Sequence, residues 1–200
     1  MSAVVLRIDE TPIAGLKVVH LDVHRDGRGW FKENWQRTVM VAAGLEDFGP
    51  VQHNVSFDET AGTIRGLHAE PWDKFVSVAT GKVFAAWVDL RAGAGFGTKF
   101  WLELDPSVAV FVPRGVANSY QTLVDNTAYS YLVNDHWRAD AEYVNVNLAD
   151  EALGIPWPLD ISAMSDKDKG HLPLAQVQPM AERRTVVIGA IGQLGRALAP

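Results

Sequence analysis

The sequence predicts an all-β sandwich or barrel. Three features carry that expectation: about ten short apolar or alternating runs recur at roughly 8–12-residue spacing, turn residues separate them, and only one early segment has helical character. Units of strand, helix and strand would instead need long 3.6-period stretches between the runs.

Taken in order, the strand candidates begin with Val4–Ile8 and Lys17–Leu21, ahead of the breaker Asp26-Gly27. Gln36–Leu45, followed by Glu46 and Asp47, is the segment with helical character. Val51–Ser56 and Gly62–Leu67 flank Ala61-Gly62, and Phe75–Thr80 and Lys82–Asp89 flank Thr80-Gly81. Thr98–Leu104 follows the glycines of 93–97, and Val108–Val112 follows Asp105-Pro106. Ser119–Leu123 comes after Pro113–Gly115, Tyr129–Val133 after Asp125-Asn126, and Tyr143–Leu148 closes the series. Glycine, proline and Asx residues supply the turn conformations these junctions need. No internal repeat or low-complexity tract is visible.

Near residue 180 the pattern changes. Thr185–Ile188 is a small β-branched run leading into Gly189-Ala190-Ile191-Gly192-Gln193-Leu194-Gly195 and the helix-prone Arg196–Ala199. Strand, glycine turn and helix start in that order are what a dinucleotide-binding unit needs. Such a unit takes about 30 residues, so 181–200 is read as the truncated start of a Rossmann-type NAD(P)-binding domain, unlikely to fold alone, and 1–180 as the main domain.

Composition narrows the functions. The chain has 200 residues, 48% of them hydrophobic, and a net charge of −6, which argues against general nucleic-acid or anionic-membrane binding. There is no cysteine, which excludes disulfides, thiolate metal sites and a Cys nucleophile. The N-terminal apolar run is too short for a signal peptide, and no stretch approaches the roughly 20 apolar residues of a membrane span. The Asn54-Val55-Ser56 sequon is read as chance, and the expected location is the cytoplasm.

Among six histidines, His68 stands out at the end of the run Thr63-Ile64-Arg65-Gly66-Leu67-His68. Strict alternation puts His68 and Gly66 on one face and Arg65 and Leu67 on the other. The wider set is Asp26–Glu33, Gln52-His53-Asn54-Val55-Ser56, Arg65–His68, Lys74, Val88–Arg91, Pro113-Arg114-Gly115, Tyr131, Ile155–Pro158 and Ser165–Asp168. In order and from about Leu16 to Pro173, these elements resemble the dTDP-4-dehydrorhamnose 3,5-epimerase family, sugar-nucleotide epimerases of the cupin-type jelly-roll fold with a few short helices. The tail resembles the opening of dTDP-4-dehydrorhamnose reductase.

The resemblance implies inversion of C3 and C5 of dTDP-4-dehydro-6-deoxy-D-glucose by removal of protons acidified by the C4 ketone, with no cofactor and no metal. It makes His68 the base, Asp168 its carboxylate partner, Lys74 the cation near the C4 oxygen and Tyr131 the acid on the opposite face. Histidine suits the first role because it exchanges a proton near neutral pH. Tyr129 and Tyr131 are read with one ring inward and the other outward, the reactive role falling to Tyr131. The resemblance also assigns Arg28 and Arg65 to the diphosphate, which guanidinium forks match, and Phe31, Glu33, Gln52 and Asn54 to the nucleotide and sugar. Trp137 stands where relatives often carry a tyrosine near the nucleoside. Asn118, also assigned to the substrate, stands where the family commonly has a second histidine. The expected partners are a nucleotide-diphosphate sugar and a second copy of the chain, in a homodimer.

Three alternatives remain open. The chain fits a C3-only or C5-only epimerase, a metal-dependent cupin with His68 and Glu70 at ligand spacing, or a non-catalytic sugar-nucleotide sensor.

Overall fold

A computed structural model describes residues 6–181. The glycine-rich segment, and with it the second-domain expectation, lies outside those residues.

Among the described residues, β-structure dominates, in two antiparallel sheets packed face to face. The first has six strands in the order β1 (Arg7–Glu10), β2 (Lys17–His20), β10 (Val108–Val112), β7 (Lys74–Thr80), β12 (Thr127–Val133) and β5 (Gln52–Asp58). The second has five, in the order β13 (Val144–Asn145), β6 (Ile64–Ala69), β11 (Val116–Thr122), β8 (Val83–Asp89) and β9 (Lys99–Leu104). Period-two alternation drives the pairing. Val76, Val78, Val110 and Tyr129 from one sheet meet Val83, Ala85, Trp87 and Tyr120 from the other in a single buried cluster. Each such side chain contributes about 1.5–3 kcal/mol on full burial, so the sandwich follows from the apolar pattern.

Both outer faces are partly covered. On the six-stranded sheet, α1 (Arg37–Ala42) buries Met40 and is followed by Leu45 and Phe48, which pack with Val19, Phe75, Ala109 and Phe111. On the five-stranded sheet, Val146, Leu148, Leu153, Val177 and Met180 pack over Ile64, Leu67, Val88 and Ala117. The last predicted strand, Tyr143–Leu148, shortens to the two residues of β13: Val146 still donates to the Leu67 carbonyl of β6, but the Asn147 N–H turns away to the Leu172 carbonyl.

The hairpin of β3 (His24–Asp26) and β4 (Gly29–Phe31) is a pair of strands absent from the sequence expectation. Its six residues are all exposed, so no apolar alternation announces it. Lys32 ties its base down by donating from Nζ to the carbonyls of Val78 and Pro106, each at 2.9 Å.

One irregularity positions the site. Arg65 of β6 stands opposite Tyr120 of β11, but His68 stands opposite Asn118, so three steps on β6 match two on β11. That extra residue is a bulge, which breaks the alternation of faces. Gly66 sits in it at φ +129°, against the backbone of β11.

Candidate functional site

The sandwich opens at one end into a cavity of about 410 Å³, within the range of small-molecule sites. From the six-stranded sheet, β5, β7 and β12 contribute Ser56, Lys74, Tyr129 and Tyr131. From the five-stranded sheet, β6 and β11 contribute Arg65, His68, Asn118 and Tyr120. The loop and short helix α2 (Asp166–Lys169) close one side with Met164, Ser165 and Asp168.

Asp168 reaches this wall through local capping. Ser165 is the N-cap of α2 and its hydroxyl accepts from the Asp168 N–H at 3.1 Å. The Asp168 carboxylate, 5% exposed, lies 2.7 Å from Nε2 of His68. Burial by itself pushes that carboxyl up, but the hydrogen bonds and charge of His68, with Ser165, outweigh it and hold the group below its usual range. His68 is one third exposed to the cavity, and Nδ1 is the ring nitrogen left for whatever enters.

Lys74 is a buried ammonium, 2.8 Å from Glu70, with Nζ also 3.5 Å from the His68 carbonyl. Glu70 in turn accepts from Trp72 Nε1 at 2.7 Å. Tyr131 is half-buried; burial pushes its hydroxyl up, and the charge of Glu70 adds to this, against smaller opposite effects of Arg65 and Ser56. It therefore holds its proton at neutral pH. Arg65 makes a two-nitrogen contact with Asp58, at 2.6 and 3.0 Å, while half its side chain stays open.

The six sequence candidates His68, Asp168, Lys74, Tyr131, Arg65 and Asn118 thus line one cavity. The expectation that Arg65 faces away from His68 is corrected by the bulge, which turns both toward the cavity. The opposed tyrosines are also corrected. Positions 129 and 131 differ by two and share a face, and both rings line the cavity with centroids 6.5 Å apart. Tyr129 is the deeper ring, fully buried, stacked on Tyr120 at 4.1 Å and donating to Asn118 Oδ1 at 3.2 Å.

Gln52 and Asn54 lie farther along the cavity-facing side of β5, joined by a 2.9 Å side-chain hydrogen bond. Gln52 also accepts from the Trp137 N–H, which leaves the Trp137 ring 62% exposed. Arg28, Phe31 and Glu33 are exposed and outside the cavity lining, Arg28 pairing with Asp26.

Residues missed by the sequence reading include Asp58 and Tyr120, a buried pair joined at 2.8 Å that braces Arg65. His171 was missed as well. Asn118 stands where a metal-binding cupin would want a later histidine; His171, three residues beyond Asp168, instead lies 3.9 Å from the Asp168 carboxylate. The spacing of three was available in the sequence; the helix that gives it meaning was not expected there.

Known proteins resemble this chain in sequence and in fold. The model of the family described as dTDP-4-dehydrorhamnose 3,5-epimerase matches residues 10–176. The chain is 49% identical over 176 residues to a protein of Streptococcus pyogenes serotype M6 named Protein RmlC homolog, covering 84% of this chain and 89% of that one. A dTDP-4-dehydrorhamnose 3,5-epimerase of Sinorhizobium fredii is 31% identical, covering 82% and 88%. The structure of RmlC from Streptococcus suis in complex with dTDP-D-xylose superposes with a TM-score of 0.84 at 45% identity, covering 88% and 95%.

Proposed function

The chain belongs to the dTDP-4-dehydrorhamnose 3,5-epimerase family, an isomerase of the jelly-roll type acting on a nucleotide sugar, and from that premise we propose which of its residues run the reaction. The single observation that carries the proposal is the 2.7 Å pair of His68 and Asp168 in the wall of a cavity that also holds Lys74 and Tyr131.

In this reading dTDP-4-dehydro-6-deoxy-D-glucose enters with its C4 ketone toward Lys74. His68 takes the proton from the carbon beside the ketone, and the C–H electrons move onto the C4 oxygen. The Lys74 ammonium stabilises the enolate that forms, in a site where water no longer screens it. Asp168 holds the imidazole and stabilises the imidazolium, the division of labour of any His-carboxylate pair. Tyr131 then protonates the same carbon from the opposite face, and both groups exchange with solvent to their starting forms. Arg65, braced by Asp58, keeps an open guanidinium edge suited to the diphosphate.

Regiospecific deuterium incorporation tests this. In D₂O the enzyme is expected to label both C3 and C5 of the keto sugar; label at one carbon alone reduces the activity to a C3-only or C5-only epimerase. No enzyme-dependent label at either carbon overturns the reading in favour of a sensor.

Tyr131→Phe is expected to keep proton abstraction, seen as exchange with retention, and to lose inversion. The acid form of tyrosine is full below its pKa and lost above it. Because the Tyr131 pKa is raised, the alkaline fall in inversion lies above the ordinary value of ~10. A pH–rate profile checks this, and the phenylalanine variant lacks that limb.

The reading includes a homodimer, in the cytoplasm. On edge strand β5, Val55 and Phe57 are 60% and 54% exposed, and the neighbouring Val51 is 55% exposed. An uncovered edge strand with an apolar face invites pairing. The exposed hairpin residues Arg28 and Phe31 and the exposed Glu33, outside their own cavity, suit delivery to a partner's site. Phe57→Glu is expected to give a monomer in light scattering with reduced turnover; an unchanged dimer removes this face from the interface.

A further inference from the structure

Beside the proposed base stands a group that the proposed reaction does not use. The His171 side chain is 9% exposed, and both of its ring nitrogens are buried without a hydrogen-bond partner among the described residues. An unmet buried polar group is costly, and one in a native fold calls for a ligand or water. Here the candidate ligand has neighbours. His171 Nε2 lies 3.9 Å from Asp168 Oδ1, the oxygen that also meets His68 Nε2 at 2.7 Å, and the two rings meet edge to face at 5.5 Å. One ligand atom from each of the three residues lies within 4.8 Å of the other two.

We propose that His68, Asp168 and His171 form a three-ligand site for a borderline divalent transition ion, zinc being the type, and that the ion blocks the epimerase by occupying the base. Two imidazoles and one carboxylate match zinc and leave the fourth position open toward the cavity, whereas magnesium prefers an oxygen shell. Zinc ligands lie about 2.0–2.2 Å from the ion, hence about 3.4 Å from one another. Side-chain rotations bring the three atoms to that spacing, the ion taking Nε2 of His68 while the proton Nε2 shared with Asp168 moves to Nδ1, which can then no longer act as the base. The charge balance favours it. Lys74 is already paired with Glu70 and Arg65 with Asp58, which leaves the Asp168 carboxylate as the charge facing the two imidazoles, with Lys167 of the cavity lining opposing it at the rim.

Metal binding does not depend on the proposed catalytic roles; the block does. The test uses the full chain, with Zn²⁺ followed by calorimetry, Co²⁺ by its visible ligand-field bands, and Mg²⁺ as control. One Zn²⁺ per chain, tetrahedral-type Co²⁺ bands and no response to Mg²⁺ are expected. His171→Gln and His68→Gln should each weaken Zn²⁺ binding at least tenfold, and Zn²⁺ should slow deuterium exchange in the unsubstituted enzyme. Binding that neither substitution weakens, or no binding at all, overturns the site. His68 is one third exposed, so His68→Gln disturbs less of the core, and that arm stands even if His171→Gln fails to fold. Zinc held by these residues without slowing exchange overturns the block; loss of exchange in His68→Asn without metal separately tests the base.

Discussion

His68→Asn is expected to reduce deuterium incorporation at both C3 and C5 by about 10²–10⁴-fold, the contribution of a positioned acid-base group, while dTDP still binds. Both carbons flank the same ketone, and the cavity holds one imidazole paired to a carboxylate at hydrogen-bond distance, so a single substitution should silence both exchanges together. The asparagine amide has no basic nitrogen, yet its size leaves the cavity wall in place. The substitution also changes stability in a pH-dependent way. Asp168 is held below its ordinary carboxylate value. A group depressed in the folded state adds stability above the unfolded value, ~3.9 for aspartate, and that stability is lost as pH falls through the folded value. Without His68 the largest lowering contact is gone, and only Ser165 and His171 are left to oppose burial. The melting temperatures of the two proteins should therefore differ most near neutrality and converge in acid. Near-normal exchange in the variant would move the base to another residue.

How much of this was legible before the structure depends on what each residue's signal is made of. The sandwich was legible because apolar alternation is written locally: β2, β7, β8, β10 and β12 lie within a few residues of the apolar runs that predict them. The exposed β3–β4 hairpin was not, since pairing held by backbone hydrogen bonds and by Lys32 reaching to distant carbonyls leaves no pattern in its own residues. The cavity residues were legible only through the family likeness. Asp168 in isolation is a charged loop residue, and 100 positions separate it from its partner. Asp58, Tyr120 and His171 escaped notice because their roles are contacts to other side chains rather than members of a recognised motif. The side facing of Arg65 and Tyr129 failed for two different reasons. A bulge changes parity by tertiary pairing, which no single strand announces, whereas residues two apart share a face by covalent geometry alone.

The bulge supplies the second large effect. Gly66→Ala is expected to lower the melting temperature by roughly 4–24 °C and to remove most of the exchange activity. A Cβ at position 66 would stand 2.3 Å from Ser119 Cβ, 2.8 Å from Ser119 Cα and 2.9 Å from the Asn118 carbonyl oxygen. Two of those three atoms are backbone, so relief requires β6 to part from β11. The φ of +129° adds strain of order 1–3 kcal/mol, and overpacking about 1–3 kcal/mol more. For a chain of this size each kcal/mol is worth roughly 2–4 °C. Gly93 provides the control. It has nearly the same φ, +124°, but nothing within 4 Å of its would-be Cβ. Gly93→Ala therefore carries the backbone strain alone, and the difference between the two melting curves isolates the collision. Activity separates the variants further, because parting β6 from β11 shifts Arg65 and His68 relative to Asn118 and Asp168, while Gly93 lies outside the cavity lining. If Gly66→Ala proves as mild as Gly93→Ala in both measurements, the close approach of these strands is not what holds the base in place.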